Sequence, residues 1–321
     1  MGDYKYRALV TGETSLKKGM IEQQTQPIRS EVIRPIAAAF AANLDRTGYV
    51  QSLPLEIAFQ VRRDEIFTTS AIFRLGGFVA STLDEVLTRL PSESITAEIK
   101  KQFEAFLKLP FEKHVQYRQI FGIRYVEGML EDNEGMQKSI DAIFASIVLE
   151  SWTSFECLAG DLWVSAIDNG PKEMAQKVQL SRHVKKQDDM SINDVKDNDF
   201  DPRSQYAAFL REARMVSFQT LSSIEKFYGV AFGKDATDLF LKTEDGYIYA
   251  LSAVRNILAH KAGRVDKAFT KQCARFEELK GYAVGDPIRL DGELVKKLRR
   301  AATSLGVALI HFVDGATTPT S

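Results

Sequence analysis

From Glu31 onward the apolar residues recur at helical spacing, with few alternating runs that would suit a strand. "SEVIRPIAAAFAANLDRTG" (30–48) predicts a helix with an early Pro35 that ends near Gly48. "DEIFTTSAIFRLGGFVASTLDEVLTRL" (64–90) predicts a longer helical stretch broken at Gly76-Gly77, where Thr82 and Glu85 have the capping-box spacing of a restart. "SITAEIKKQFEAFLKL" (94–109) is a further amphipathic helix. The acidic "EDNEG" (131–135) marks a boundary, and a strongly apolar helix over 136–168 follows it. Residues 169–204 turn polar and charged and read as a surface insertion. Helices resume at 203–228 and at about 245–262, and a third runs from about Asp266 to Lys280. "YAVGDPIRLDG" (282–292) predicts a short β-turn excursion, and "GELVKKLRRAATSLGVALIHFV" a last helix to about 313. The class is therefore all-α: a loosely structured leader at 1–30, a helical N-terminal region at 31–132, a second helical region at 136–314 and a disordered tail at 315–321.

Composition changes this picture little. The chain has 321 residues, 45% hydrophobic and 26% charged, with a net charge of −1. That suits globular folding and supplies no global positive field, so a nucleic-acid partner would have to be held by a local patch. Cys157 and Cys273 form no CxxC pair, and His114, His183, His260 and His311 are scattered, so no metal-ligand pattern is visible. Both cysteines are expected to be buried as small apolar residues, and Trp152 and Trp163 to be core. The N-terminal "MGDYKYRALVTGETSLKKG" has no apolar core of the signal-peptide type, and uncharged runs such as "PIAAAFAANL" (35–44) are too short for a bilayer. The expectation is a cytoplasmic protein with no membrane partner.

Candidate chemistry concentrates in "SAVRNILAHKAGRVD" (252–266). On a helical wheel with Arg255 at zero, Leu251, Val254, Ile257 and Leu258 fall between roughly 200° and 320° and form the core stripe. Asn256 and His260 fall at roughly 100° and 140°, four residues apart on one face, with Arg255 at its edge. Ser252, Ala253, Ala259 and Tyr249 share that arc, so another helix, a second protomer or a substrate is expected to approach closely. Arg and His near a helix end also complement the dipole, with Gly263 suited to the C′ position, and this structural role competes with the functional one. The chemistry of the trio is nonetheless coherent. An imidazole moves protons near neutral pH, a guanidinium fork binds phosphate, and a carboxamide orients either.

Around this segment, Lys267, Lys271 and Arg275 recur at i, i+4, i+8, and Lys261 adds a fourth cation. The stripe is either a solvated face or a holder of RNA phosphates, and "KKLRR" (296–300) has the same ambiguity. Glu156 is an acid in an apolar helix that needs a partner if buried, and Arg255 is one candidate. Tyr249 suits either a base stack or a core or interface contact.

"VRNILAHKAGRVDKAF" (254–269) resembles the signature of HEPN domains of the RiboL-PSP type: an Arg, a polar residue after it, and a His four to six positions beyond the Arg. Arg255, Asn256 and His260 occupy those positions, "LESWTSFECLAGDL" is similar to the family's first helix, and "GDPIRLDGELVKKL" to the segment before its last. The resemblance spans roughly 136–313; the N-terminal half and the insert at 169–204 depart from it. It implies an antiparallel helical bundle that needs neither metal nor cofactor and cleaves RNA, as a toxin or antiphage effector. Arg255 would hold the phosphate, His260 transfer protons and Asn256 position them. It also implies a homodimer through the Arg255/His260 helix and an antitoxin or other regulatory partner. Other members of the family are non-catalytic RNA, nucleotide or protein-binding modules, and a purely structural helical dimer is a third reading.

Overall fold

The structure is a computed structural model that describes residues 28–74, 92–110, 133–170 and 216–317, with single positions between them and only the backbone over most of 51–66. Most of the expected leader (1–27), the Gly76-Gly77 break with its Thr82–Glu85 restart, and most of the insert at 169–204 lie outside the described residues, while residues 28–30 are described, Arg29 and Ser30 being held by Asp314. The fold is all-α: α1 (Ile33–Arg74), α2 (Ser92–Leu107), α3 (Glu134–Asn169), α4 (Leu221–Phe232), α5 (Lys234–Lys242), α6 (Tyr247–Lys261), α7 (Lys267–Cys273) and α8 (Gly292–Thr317). The β-type pairing among the described residues is an isolated antiparallel bridge between Arg264 and Pro287.

The chain divides into two compact units, one containing Gln51–Ile140 and the other containing the described residues up to Val50 together with those from Asp141 on. The divisions fall inside α1 and α3, so the helical segment before Val50 belongs with the C-terminal unit, which the boundary read at 131–135 does not anticipate. In the first unit, Phe67 packs edge-on against Phe103 and Phe106 at ring distances of 5.6 and 5.7 Å, with Ile99 and Leu109 beside them.

In the second unit α3 is the central helix. Phe144, Ile147, Val148, Trp152, Phe155, Leu158, Leu162, Trp163 and Ile167 are all buried, on more than one side of the helix. By length and composition α3 could cross a bilayer, which revises the expectation that no segment is long enough; half of its apolar window is buried within the protein. The start of α1 is held by α8, where Asp314 accepts from the backbone N–H groups of Arg29 and Ser30 at 3.0 and 2.8 Å. Gly306 on α8 sits where a Cβ would overlap the Phe40 ring of α1 and lie 2.9 Å from Leu158 Cδ2 of α3, so its lack of a side chain permits the approach of three helices.

Helix ends depart from expectation for local reasons. α1 runs through Gly48 and Pro54, with Ile33, Ala37, Phe40, Ala41 and Leu44 buried along the part before Gly48; a helical glycine costs only roughly 1 kcal/mol, which that burial offsets. Arg299 packs over Gly48 and donates to Leu44 O at 3.2 Å. The helix expected at 203–228 is instead non-helical over 216–220 and restarts at Leu221, where Thr220 caps the N–H of Ser223. Phe218 before that cap stacks on Trp163 at 5.5 Å. The expected helix at 266–280 ends at Cys273 and gives way to turns. α8 continues to Thr317, so the first three residues of the expected tail are helical.

Candidate functional site

α6 carries the Arg-Asn-His trio, and the fold pins both of its ends. It is entered through Thr243–Gly246, a turn with Glu244, Asp245 and Gly246 all left-handed (φ 47°, 52° and 71°). Two non-glycine residues in that region cost about 1–2 kcal/mol each. The turn is held by the Glu244 carboxylate, which accepts from Arg300 Nε and Ser304 Oγ, both at 2.9 Å, and by Arg275, which donates to Gly246 O at 3.2 Å. Tyr247 donates to Glu278 at 2.6 Å, and Glu278 also pairs with Lys297. The Lys297 ammonium first and the Tyr247 hydroxyl second pull the Glu278 carboxyl down to about 2. Burial, helped by the bond to Glu278, pushes Tyr247 up to about 12.

At the other end α6 stops in a left-handed pair. Ala262 (φ 50°) takes that conformation before the expected Gly263 (φ 74°), and Gly263 N–H returns to Ile257 O at 2.9 Å. The expected excursion over 282–292 is what clamps this exit. Ile288 N–H bonds Gly263 O at 2.8 Å, Val265 N–H bonds Asp286 O at 2.9 Å, and Gly285 N–H bonds Val265 O at 2.8 Å.

Between these ends α6 buries Leu251, Val254 and Ile257, and Ser252 and Ala253 as well. The close approach expected along the small-residue arc is therefore met at those two positions by the protein's own packing, and Ser252 is not at the surface. Tyr249 is engaged too: its hydroxyl donates to Glu225 at 3.0 Å, its carbonyl accepts from Gln272 at 2.9 Å, and Arg275 lies 5.0 Å from its ring. Burial raises its hydroxyl pKa well above the ordinary tyrosine value, and these contacts tie it to α4 and to the segment after α7.

Asn256, Ala259 and His260 are exposed, and Arg255 is half-buried at their edge. Arg255 Nη1 donates to Asn256 Oδ1 at 3.1 Å. That bond uses the amide oxygen, so the Asn256 NH₂ remains as a donor for an incoming anion. Arg255 Nη2 lies 3.8 Å from Glu156 Oε2, and the guanidinium carbon lies 5.7 Å from the Trp152 ring. The Trp152 indole N–H donates to the same Glu156 oxygen at 2.7 Å. With Glu156 25% and Arg255 22% exposed, the ion pair contributes at most about 1 kcal/mol, and its main effect is orientation. His260 makes no hydrogen bond or ion pair among the described residues, and as residue i+4 its Cβ stands about 6 Å from that of Asn256.

The cations sort into two groups. Lys261, Lys267 and Lys271 are exposed and unpaired among the described residues. Arg275 lies beyond α7, which spans only seven residues, so the three cations do not form one helical stripe; Arg275 is spent on Gly246 and on the Tyr249 and Phe276 rings. The "KKLRR" cluster is largely consumed: Lys297 pairs with Glu278, Arg300 with Glu244, and Arg299 is buried, which lowers its pKa to about 10. Cys273 is buried and its thiol is pushed up to about 12, but Cys157 is exposed, contrary to expectation.

Sequence reasoning assigned Trp152 to the core alone and missed its link to Arg255. The available signal was the i, i+4 spacing of Trp152 and Glu156 on one helix. His311 is exposed and apart from the trio's contacts, while His114 and His183 lie outside the described residues. An open groove of about 420 Å³ lined by Ser222, Glu225, Lys226, Gly229, Val230 and Thr237 includes none of the trio. Among the described residues no three His, Cys, Asp or Glu side chains stand together as a metal-ligand set. The chain matches no family model, no curated protein and no solved structure.

Proposed function

We propose that the C-terminal unit is a metal-independent endoribonuclease of the HEPN kind, cytoplasmic and acting as a toxin or antiphage effector. One observation carries this reading: Arg255 and Asn256 are hydrogen-bonded to each other beside an exposed, uncommitted His260. In the proposed reaction Arg255 and the Asn256 NH₂ bind the non-bridging oxygens of the scissile phosphate. A His260 imidazole takes the proton from the 2′-hydroxyl, O2′ bonds to phosphorus, and the P–O5′ bond breaks. The departing 5′-oxygen receives a proton from an imidazolium, leaving a 2′,3′-cyclic phosphate and a 5′-hydroxyl. The nucleophile is the RNA's own, so the trio suffices for the chemistry. An open face needs a second wall, and a homodimer through α6 would supply it together with a second His260 for the acid role. Lys261, Lys267 and Lys271 would hold flanking phosphates, and an antitoxin or similar partner would cover the face.

The test is cleavage of single-stranded RNA in excess EDTA. His260→Ala and Arg255→Ala are each expected to lower the rate at least about 100-fold. Equal activity in the parent and both variants rejects the assignment. The alternative, a non-catalytic RNA, nucleotide or protein-binding module, is favoured by the lack of an orienting partner for His260 among the described residues. It predicts salt-sensitive RNA binding without turnover, and no growth arrest on expression.

A further inference from the structure

We propose that Trp152 is a positioning residue for Arg255, acting by locking the Glu156 carboxylate. The activity arm of this inference rests on the ribonuclease reading; its structural arm does not. Two contacts reach one guanidinium, and a third ties their sources together. Trp152 Nε1 donates to Glu156 Oε2 at 2.7 Å, that oxygen stands 3.8 Å from Arg255 Nη2, and the indole ring lies 5.7 Å from Arg255 Cζ. An ion pair of that length in partial contact with solvent does not hold a long side chain in one rotamer by itself. The indole bond restricts the rotamer freedom of Glu156, and the ring beneath the guanidinium adds a second contact that limits its movement. Trp152 is 1% exposed, so it cannot touch a substrate and its influence must pass through Arg255. The result is a guanidinium with one edge turned to Glu156 and Asn256 and its remaining N–H groups left to face an anion.

Trp152→Phe keeps a ring in the same space and removes the N–H. Three measurements decide the matter. The first is ¹⁵N relaxation of the Arg255 Nε–H, assigned with Arg255→Lys: Trp152→Phe, folded by circular dichroism, is expected to lower its order parameter. The second is kcat and KM on single-stranded RNA in EDTA: kcat is expected to fall about tenfold, as misplacement of a positioned group predicts, with KM within about twofold. The third is the same substitution in a Glu156→Gln background, where it should add little further loss. Unchanged Arg255 order in folded Trp152→Phe, or fully additive losses in the double variant, overturns the proposal. If Trp152→Phe does not fold, Glu156→Gln alone must loosen Arg255, and unchanged order there overturns it equally. If the parent cleaves no RNA, the ribonuclease reading fails, while the relaxation measurement still decides the role of Trp152.

Discussion

The two ends of α6 carry similar polar chemistry and use it in opposite ways. At the N-terminal end the main polar side chains are partnered: Glu244 with Arg300 and Ser304, Arg275 with Gly246, Tyr247 with Glu278, Tyr249 with Glu225. These contacts hold a left-handed entry that would otherwise be strained. At the C-terminal end the backbone is clamped just as firmly, yet Asn256, His260 and Lys261 stay exposed and the imidazole has no partner among the described residues. A rigid backbone under uncommitted side chains is an arrangement suited to binding or reaction, because the fold gains almost nothing from those side chains.

The contrast can be broken by substitution at either end. Gly246→Ala should be the most damaging, because the new Cβ meets the Arg275 guanidinium and must sit at φ 71°. A loss of about 2 kcal/mol or more is expected by denaturant titration. Tyr249→Phe should cost about 1–2 kcal/mol through the lost bond to Glu225, with the proposed RNA cleavage unaffected in the folded protein. Glu278→Gln sharpens the comparison through pH. The Glu278 carboxyl sits at about 2 in the folded protein against an ordinary 4.5, so its contribution is present at neutral pH and lost as pH falls from about 5 towards 2. Because the group is largely solvent-accessible, the difference from parent at pH 7 should be only about 0.5–1 kcal/mol, vanishing in acid melts. The smallest effects on stability belong to the other end. Asn256→Ala and His260→Ala should leave unfolding within about 0.5 kcal/mol of parent while activity falls. A large destabilisation by His260→Ala would erase the distinction and return the histidine to a structural role.

Much of the fold is legible from spacing because helices declare themselves locally. The run over 136–168 and the final helix appear nearly where the periodicity of Phe144, Ile147, Trp152 and Leu158, or of Leu294, Leu298, Leu305 and Leu309, puts them. The misses are equally physical. Gly48 reads as a helix end but lies inside α1, where Arg299 packs over it. α5, "KDATDLFLK", has too few residues to show a period of its own. The turn after Cys273 is set by contacts from distant segments and has no local signature.

The sequence by itself determined that the chain is helical and that Arg255, Asn256 and His260 share a short stretch near a helix end, since a 3.6-residue period fixes which side chains lie together on one helix. Only the tertiary structure decided which of the neighbouring groups are free. The small-residue arc looked uniform, yet Ser252 and Ala253 are covered and Asn256 and His260 are not. Arg275 and the 296–300 cluster suited either a solvated face or RNA phosphates, and are largely spent on the fold. Trp152 is a core residue, as the sequence suggested, yet its ring also lies 5.7 Å from the Arg255 guanidinium and its N–H holds Glu156. Whether a polar side chain is spent or available depends on partners that are far off in sequence, and no periodicity encodes them.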